Sequence, residues 1–218
     1  MKRWIGIYIL VSIACFAYAR TYSDTAVYQG IQVKLDVLNS ILEPARTHGL
    51  MQTYEAAMNV RLKNRFYPTL ELGYSGGKAT IEPTTYNGYG GFVRLGMDLN
   101  AMKKNQHLPH ALLVGLRIAT AYQQYNLTQV KMNDTFWGEM PYKDFTNLAR
   151  CDAWGLVDPR CHVNIVSGLM MSWYNRLKLL ITRTDKNNGP LPYYIPGVGY
   201  SDDTNWGLNY YIGWKFYN

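Results

Sequence analysis

The chain has 218 residues, of which 48% are hydrophobic and 17% are charged, and its formal net charge is +7. This length fits a single domain. After residue 20 no apolar run reaches the roughly 20 residues that a membrane-spanning helix needs, so any later passage through a membrane would require strands. The basic residues are scattered and form no stripe, which argues against a nucleic-acid-binding protein.

The N-terminus has the composition of an export signal. Met1–Arg3 is basic at two positions, an apolar run begins at Ile5, and residues 17–19 form a small-x-small cleavage sequence. We therefore predict a cleaved signal peptide at residues 1–19 and a single β-barrel domain at residues 20–218. The alternatives are an uncleaved anchor, for which the apolar run is short, and a lipoprotein that carries its lipid on Cys15.

Two cysteines would remain after cleavage. Losing the two basic residues of the leader lowers the net charge from +7 to +5 and removes Cys15. Cys151 and Cys161 then form an even pair in an exported chain, and we predict a disulfide between them. A zinc site would need more ligands than the neighbouring His162 supplies.

Eight segments alternate apolar and polar residues at every second position, which is typical of β-strands with one apolar face. In chain order they cover residues 27–39, 54–63, 66–73, 89–100, 112–119, 163–173, 177–182 and 206–216. The connections after strands two, four and six are the shorter ones, at 64, 101–108 and 174–176, and the others are long. This pattern predicts an all-β fold, an eight-stranded antiparallel up-and-down transmembrane β-barrel.

The polar face of these strands mixes charges of both signs with glycine. An eight-stranded barrel is just wide enough inside to be filled by side chains, so we predict that this face lines the lumen. Its charges would pair into a network that plugs the barrel. The predicted members are Lys34, Asp36, Glu55, Arg61, Glu71, Arg94, Asp98 and Arg117. The alternative is a soluble exported barrel, lipocalin-like, that binds a hydrophobic ligand on an apolar interior.

The last strand alternates most strictly. Its apolar face consists of Trp206, Leu208, Tyr210, Ile212, Trp214 and Phe216. This strand resembles the assembly signal of bacterial outer-membrane β-barrels, which commonly ends on Phe or Trp, whereas Tyr217 and Asn218 follow here. Aromatic residues near other predicted strand ends match the interfacial girdles of such barrels.

The domain as a whole resembles the small eight-stranded outer-membrane barrels of OmpA/OmpX-like architecture. The segment from Pro192 to Gly199, followed by Asp202 and Asp203, is also similar to a family of predicted outer-membrane proteins with no assigned function. This resemblance implies an outer-membrane location and a monomer that contacts outer-membrane lipid and the barrel-assembly machinery. It implies no cofactor and carries no catalytic residue.

The connection at 124–162 is the longest, and loops of such length are usually functional or disordered. We predict a short helix over 143–150 in it and a structural or surface-binding role, with an extracellular ligand or protein as partner. The loop could equally fold over the barrel mouth as a lid. The alternative is a lipid-modifying enzyme active at the barrel rim, using His48, Ser201, Asp202 and Asp203, although no spacing marks such a site. His107 and His110 lie in a predicted periplasmic turn away from His48 and His162, so no metal site is predicted.

Overall fold

The fold is a closed antiparallel β-barrel, seen in a computed structural model that describes residues 28–46, 51–63, 65–102, 110–131, 133–134, 138–139, 142–166, 168–185 and 190–216. The barrel strands are β1 (Tyr28–Asp36), β2 (Met51–Leu62), β3 (Phe66–Ile81), β4 (Thr84–Asn100), β5 (Ala111–Val130), β8 (Lys143–Asn164), β9 (Leu169–Asp185) and β12 (Thr204–Phe216). Their order around the barrel is β1-β12-β9-β8-β5-β4-β3-β2. Each strand thus pairs with its neighbours along the chain, which confirms the predicted eight-stranded barrel.

Smaller elements lie between the barrel strands. Helix α1 (Leu38–Arg46) follows β1, and Oδ1 of Asp36 accepts hydrogen bonds from the amides of Leu38 and Asn39 at its start. Strands β6 (Asn133–Asp134) and β7 (Gly138–Glu139) pair with each other, as do β10 (Tyr194–Ile195) and β11 (Gly199–Tyr200). No helix in the described part of the chain is long and apolar enough to cross a membrane.

The two ends of the barrel differ. One end, here called the terminal end, carries the start of β1, the end of β12 and the β2–β3, β4–β5 and β8–β9 connections. The other, here called the hairpin end, carries α1, the β3–β4 turn at Glu82-Pro83 and the β10–β11 hairpin. The connection between β3 and β4 was expected to be long but is a two-residue turn, because both strands continue well beyond the predicted limits.

The sixth and seventh strands were predicted in the wrong places. The later part of the segment predicted as a loop, with a helix at 143–150, lies in the 22-residue strand β8. The strand predicted at 163–173 spans the end of β8, the connection after Asn164 and the start of β9, and the strand predicted at 177–182 lies further along β9. The predicted turn at 174–176 lies inside β9. The physical reason is that β8 turns Asp152, Asp158 and Arg160 into the barrel, so a strand that lines a charged lumen has the composition of a polar loop.

The side chains alternate with the polar face inward. Val33 is 42% exposed and Leu95 is 52% exposed on the outer surface, whereas Lys34 and Arg94 beside them are buried in the lumen. This orientation is the opposite of the lipocalin-like alternative, which requires the apolar face inside. The core is therefore the filled lumen itself.

The predicted disulfide is wrong. Cys151 and Cys161 are both free and lie on the same strand, β8. Ten residue steps along a strand separate their Cα atoms by about 33 Å, whereas a disulfide requires Cα atoms less than about 7 Å apart. The prediction failed because it placed both residues in a loop.

Several sequence predictions fall outside the described residues. They concern the signal peptide at 1–19 with Cys15, the candidates His48 and His107, and the last residues, Tyr217 and Asn218. The signal peptide and its cleavage stay predictions.

The positions of Cys151 and Cys161 make a chemical prediction. We expect the purified protein, unfolded without a reducing agent, to be alkylated by iodoacetamide at both residues. Peptide mass spectrometry would detect the two modified sites, and the reduced sample is the control. A linked peptide that contains both cysteines before reduction would contradict the continuous β8 strand.

Candidate functional site

The lumen holds a cluster of eight charged side chains that we call the ion network. Its members are Glu55, Glu71, Asp98, Asp158, Arg94, Arg117, Arg160 and Arg176, and all are buried. They come from six strands, β2, β3, β4, β5, β8 and β9. Four carboxylates thus face four guanidinium groups inside the barrel.

Arg176 of β9 lies at the centre of this network. Its Nη1 is 2.7 Å from Oε1 of Glu55, its Nη2 is 2.9 Å from Oε2 of Glu71, and its Nε is 3.3 Å from Oδ2 of Asp158. One guanidinium group therefore joins carboxylates from three strands. The five donors of an arginine and their fixed planar geometry suit it to such multiple contacts.

The other arginines complete the pairing. Nη1 of Arg94 lies 2.5 Å from Oε1 of Glu55 and 3.0 Å from Oε2 of Glu71. Arg117 contacts three carboxylates, those of Glu71, Asp98 and Asp158, at 2.5 to 3.0 Å. Arg160 pairs with Asp98. Burying charges costs several kcal/mol per ion, and close pairing of this kind is what offsets that cost.

Two tyrosine rings lie against the network on the side of the terminal end. Tyr174 and Tyr211 are buried, with ring centroids 4.5 Å apart. The Cζ atom of Arg176 is 4.8 Å from the Tyr174 centroid, and Arg160 is 5.1 Å from it. Both hydroxyls also accept hydrogen bonds from cations. Nζ of Lys34 donates to the Tyr174 hydroxyl at 2.8 Å, and Nη2 of Arg176 donates to the Tyr211 hydroxyl at 2.9 Å. Aromatic faces near cations add attraction in a desolvated site.

All eight residues predicted for the lumen are buried and face inward. Glu55, Glu71, Arg94, Asp98 and Arg117 belong to the ion network. The other three lie elsewhere in the lumen. Lys34 contacts Tyr174, Asp36 accepts a hydrogen bond from Nδ2 of Asn209 at 2.6 Å, and Arg61 lies toward the terminal end.

Sequence reasoning missed Asp158, Arg160 and Arg176. Asp158 and Arg160 were assigned to a loop, and Arg176 to a turn. A signal was present, because Asp152, Trp154, Asp158 and Arg160 share one alternating face of β8, which only Leu156 interrupts. Pro159 and the cysteines obscured it, since proline is unusual inside a sheet.

An apolar layer covers the network toward the hairpin end. It is built from Phe92, Ala119, Ala121, Trp154 and Leu156 of the barrel and from Ile195 and Val198 of the β10–β11 hairpin. A second, tyrosine-rich cluster lies beyond it, formed by Tyr86, Tyr125, Leu127 and Leu148, with Tyr193 and Tyr194 of the hairpin segment packed against it. The hairpin is therefore folded into the mouth of the barrel.

Barrel side chains hold this hairpin by its backbone. Nη2 of Arg94 donates to the carbonyl of Gly197 at 2.9 Å, and Nζ of Lys178 donates to the carbonyl of Val198 at 2.9 Å. Higher in the mouth, the hydroxyl of Tyr86 donates to the carbonyl of Tyr194 at 3.0 Å. Gly197 has φ +76° and packs on the Phe92 ring so closely that a Cβ atom would lie 2.7 Å from it. With the hairpin in this position, residue 197 must be glycine.

The rim residues proposed for an enzyme are not gathered into a site among the described residues. Asp202 and Asp203 are exposed between β11 and β12 at the hairpin end.

His162 lies near the end of β8, toward the terminal end, where its Nδ1 is 3.0 Å from Oγ of Ser172. In the described part of the chain no group of three or more His, Cys, Asp or Glu side chains could hold a metal ion.

Comparison with protein families gives a match over residues 2–216, to the family described as a domain of unknown function, DUF6048. The chain belongs to the DUF6048 family. Among curated proteins no sequence matches this DUF6048 chain. Among solved structures, the crystal structure of Acinetobacter baumannii CarO2 is 11% identical to it, covers 89% of it and 100% of the CarO2 chain, and gives a TM-score of 0.34. At this identity and TM-score the CarO2 structure supports no conclusion about this chain. The resemblance to OmpA/OmpX-like barrels stays a prediction.

The position of Arg176 predicts a large effect on stability. We expect Arg176→Met to lower the free energy of unfolding by about 3 to 5 kcal/mol, because it removes one cationic partner from three buried carboxylates at once. Lys78→Met, at an exposed site on β3, is the matched control and should change it by less than about 0.5 kcal/mol. Urea unfolding of both variants in detergent micelles would measure the difference, and equal stabilities would contradict the buried network.

Proposed function

We propose that this protein is a monomeric outer-membrane β-barrel with a lumen closed by side chains and a structural or surface-binding role at its hairpin end. One observation carries the proposal: the barrel buries its charges inside and exposes its apolar side chains outside. Exposed apolar faces of this extent are unusual on a water-soluble monomer. They are what a barrel surrounded by lipid requires.

The outer apolar band has the height expected of a membrane-spanning region. Tyr54, Tyr74 and Tyr122 lie at one level on neighbouring strands, because Tyr54 pairs with Tyr74, Tyr74 with Gly91, and Gly91 with Tyr122. From Tyr122 down to Leu112 the outward side chains of β5 are Thr120, Ile118, Leu116 and Val114. These ten steps span about 33 Å along the strand, or about 24 Å along the barrel axis for a strand tilt near 45°.

Aromatic residues lie at both limits of this band. The three tyrosines form the limit toward the hairpin end, and Phe66, Trp214 and Phe216 are exposed near the terminal end. Tyrosine and tryptophan are favoured at membrane interfaces, where one part of the ring is apolar and the other polar. The exposed face of β12 supports its proposed role as the strand that the barrel-assembly machinery recognises. The predicted signal peptide would direct export of the chain into the compartment in which that machinery acts.

The proposed plug rests on the filling of the lumen. The ion network, the tyrosine pair below it and the apolar layer above it come from strands all around the barrel. The hairpin then closes the mouth. A lumen filled in this way supports a structural or binding role and does not favour a pore.

The surface offered for binding is a sheet and not a long loop. Beyond the tyrosine level, β3 continues for seven residues to Ile81, and β5 for eight residues to Val130. These strands, with the paired parts of β4 and β8, extend about 23 Å past the band along the strand direction, or about 16 Å along the barrel axis at the same tilt. By the usual insertion of such barrels, with short turns in the periplasm, this projecting sheet would lie outside the cell.

A pair of spin labels on one face of β3 tests the membrane location. Leu72 and Thr80 are both exposed and both point outward, Leu72 within the apolar band and Thr80 on the projecting sheet. In vesicles we expect a label at Leu72→Cys to be relaxed mainly by oxygen, which dissolves in lipid, and a label at Thr80→Cys mainly by a water-soluble nickel complex. Cys151 and Cys161 would be replaced by serine in both variants.

Equal accessibility of both labels to the nickel complex would refute the membrane location. Recovery of the native protein from the soluble periplasmic fraction without detergent would refute it as well. Heat-modifiable gel mobility of the membrane fraction is the expected accompanying result.

The closed lumen makes a separate prediction. We expect the wild-type protein to insert into planar lipid bilayers without steady ion conductance, because no continuous water path is expected past the ion network. Steady channel currents from the purified protein would contradict the plug while leaving the membrane location intact.

A further inference from the structure

The strongest unexplained feature is the space occupied by the β10–β11 hairpin. We call this space, with the inward side chains that surround the hairpin, the hairpin compartment. Its side chains are Phe92, Arg94, Gln123, Trp154, Leu156 and Lys178. It combines apolar walls, two cations and two neutral polar groups, a mixture typical of ligand sites.

Two of these polar groups are buried without a hydrogen-bond partner among the described residues. Trp154 is 0% exposed and its indole Nε1 has no acceptor, although its ring packs with Ile195 and Val198 of the hairpin. Gln123 is also fully buried, and neither atom of its amide is satisfied. It points inward between Ala121, which contacts the hairpin layer, and Tyr125, whose hydroxyl donates to the carbonyl of Pro190.

Such groups are costly in a protein that only needs a filled barrel. A buried polar group without a partner costs about 1 to 3 kcal/mol, and most native structures avoid it. Phenylalanine at 154 and an apolar residue at 123 would fill the same space without that cost. Both polar groups are therefore available to hydrogen-bond with a ligand that enters this space.

The hairpin itself shows which chemistry the compartment accepts. Arg94 and Lys178, both cationic, donate to two carbonyl oxygens of consecutive residues, Gly197 and Val198. A carboxylate would offer two oxygens that share one negative charge in place of two neutral carbonyls. Charge-assisted bonds are roughly twice as strong as neutral ones. Ile195 and Val198 meanwhile fill the apolar part between Phe92 and Trp154.

We propose that the hairpin compartment is a binding site for a small carboxylate with an apolar body, which enters by displacing the β10–β11 hairpin. The carboxylate takes the donors of Arg94 and Lys178, the apolar body takes the place of Ile195 and Val198, and the ligand's polar atoms reach Trp154 Nε1 and the Gln123 amide. The hairpin acts as an internal competitor that keeps the compartment filled when no ligand is bound. This site goes beyond the proposed structural role and does not depend on the membrane location.

Gly197 provides the variant that separates hairpin and ligand. A side chain at 197 would collide with the Phe92 ring, so Gly197→Ala should unseat the hairpin. Gly199→Ala is the matched control, because Gly199 also has positive φ, +114°, but its Cβ would meet only Asn205 Oδ1 at 3.7 Å. Both variants strain the hairpin backbone, but only Gly197→Ala disturbs the packing of the hairpin against Phe92. Ile195→Ser, which removes a buried apolar anchor without adding bulk, is a second way to unseat it.

The experiment measures binding of 3-fluoro-4-hydroxybenzoate, whose hydroxyl oxygen can accept a hydrogen bond from Trp154 Nε1, to the full-length mature protein in detergent micelles by fluorine NMR. Neutral 3-fluoro-4-hydroxybenzamide is the comparison probe. We expect Gly197→Ala and Ile195→Ser to bind the acid at least about tenfold more tightly than Gly199→Ala, because the apparent affinity rises with the fraction of open compartment. Adding Lys178→Met or Trp154→Phe to Gly197→Ala should each weaken it about fivefold or more. Retained heat-modifiable mobility would show that the barrels are folded.

Three results would overturn the proposal. They are equal affinities of the acid and the amide, equal affinities of Gly197→Ala and Gly199→Ala, and an absence of binding by any folded variant. A signal that is independent of Lys178 and Trp154 would place the probe in the micelle or elsewhere on the barrel, and would overturn it equally.

Discussion

The burial of the ion network is the constraint on which this barrel depends. Eight charged groups from six strands are removed from water, and their desolvation is offset only if every partner arrives at the right height and on the inner face. Shifting one strand by a single residue would turn its charges outward and its apolar side chains inward. The pairing of Arg176 with Glu55, Glu71 and Asp158 therefore ties the register of β9 to that of β2, β3 and β8.

The space for these large side chains comes from glycine. Gly96 and Gly115 face the lumen beside Arg117 and Asp98, and a Cβ atom at either position would overlap those side chains. The same principle works one layer higher, where the Phe92 ring lies over Gly73. A lumen of eight strands has room for arginines and aromatic rings only where neighbouring positions contribute almost no volume. Charge pairing and glycine placement are thus two parts of one packing solution.

The layers of the lumen divide its tasks. The ion network fixes the strands, whereas the hairpin above it is held by backbone carbonyls and by a few apolar side chains. Removing the hairpin would leave the network's own salt bridges in place, because Arg94 keeps both Glu55 and Glu71. The lumen thus combines a network of buried ion pairs with a hairpin that a few barrel side chains hold in place. This division is the physical basis for the proposal that the hairpin, and not the network, gives way to a ligand.

The sequence by itself determined the barrel and the face that each of the regular strands turns inward. The predicted count of eight strands agreed with the structure because one strand, β8, was missed and another, β9, was divided in two. Alternation is a local property, so Val33, Lys34, Arg94 and Leu95 could be assigned without knowing any partner strand. Five of the eight network residues were predicted in this way.

Only the tertiary structure decided the bounds of β8 and β9, the absence of a disulfide between Cys151 and Cys161, and the position of the hairpin. Asp158 and Arg160 look like loop residues until the carboxylates and guanidinium groups opposite them are known, because a charged strand is stable only beside its counterions. Cys151 and Cys161 suggest a disulfide until the strand between them is known to be extended. Gly197 packs on Phe92, a residue far from it in the chain, and this contact depends on closure of the whole barrel.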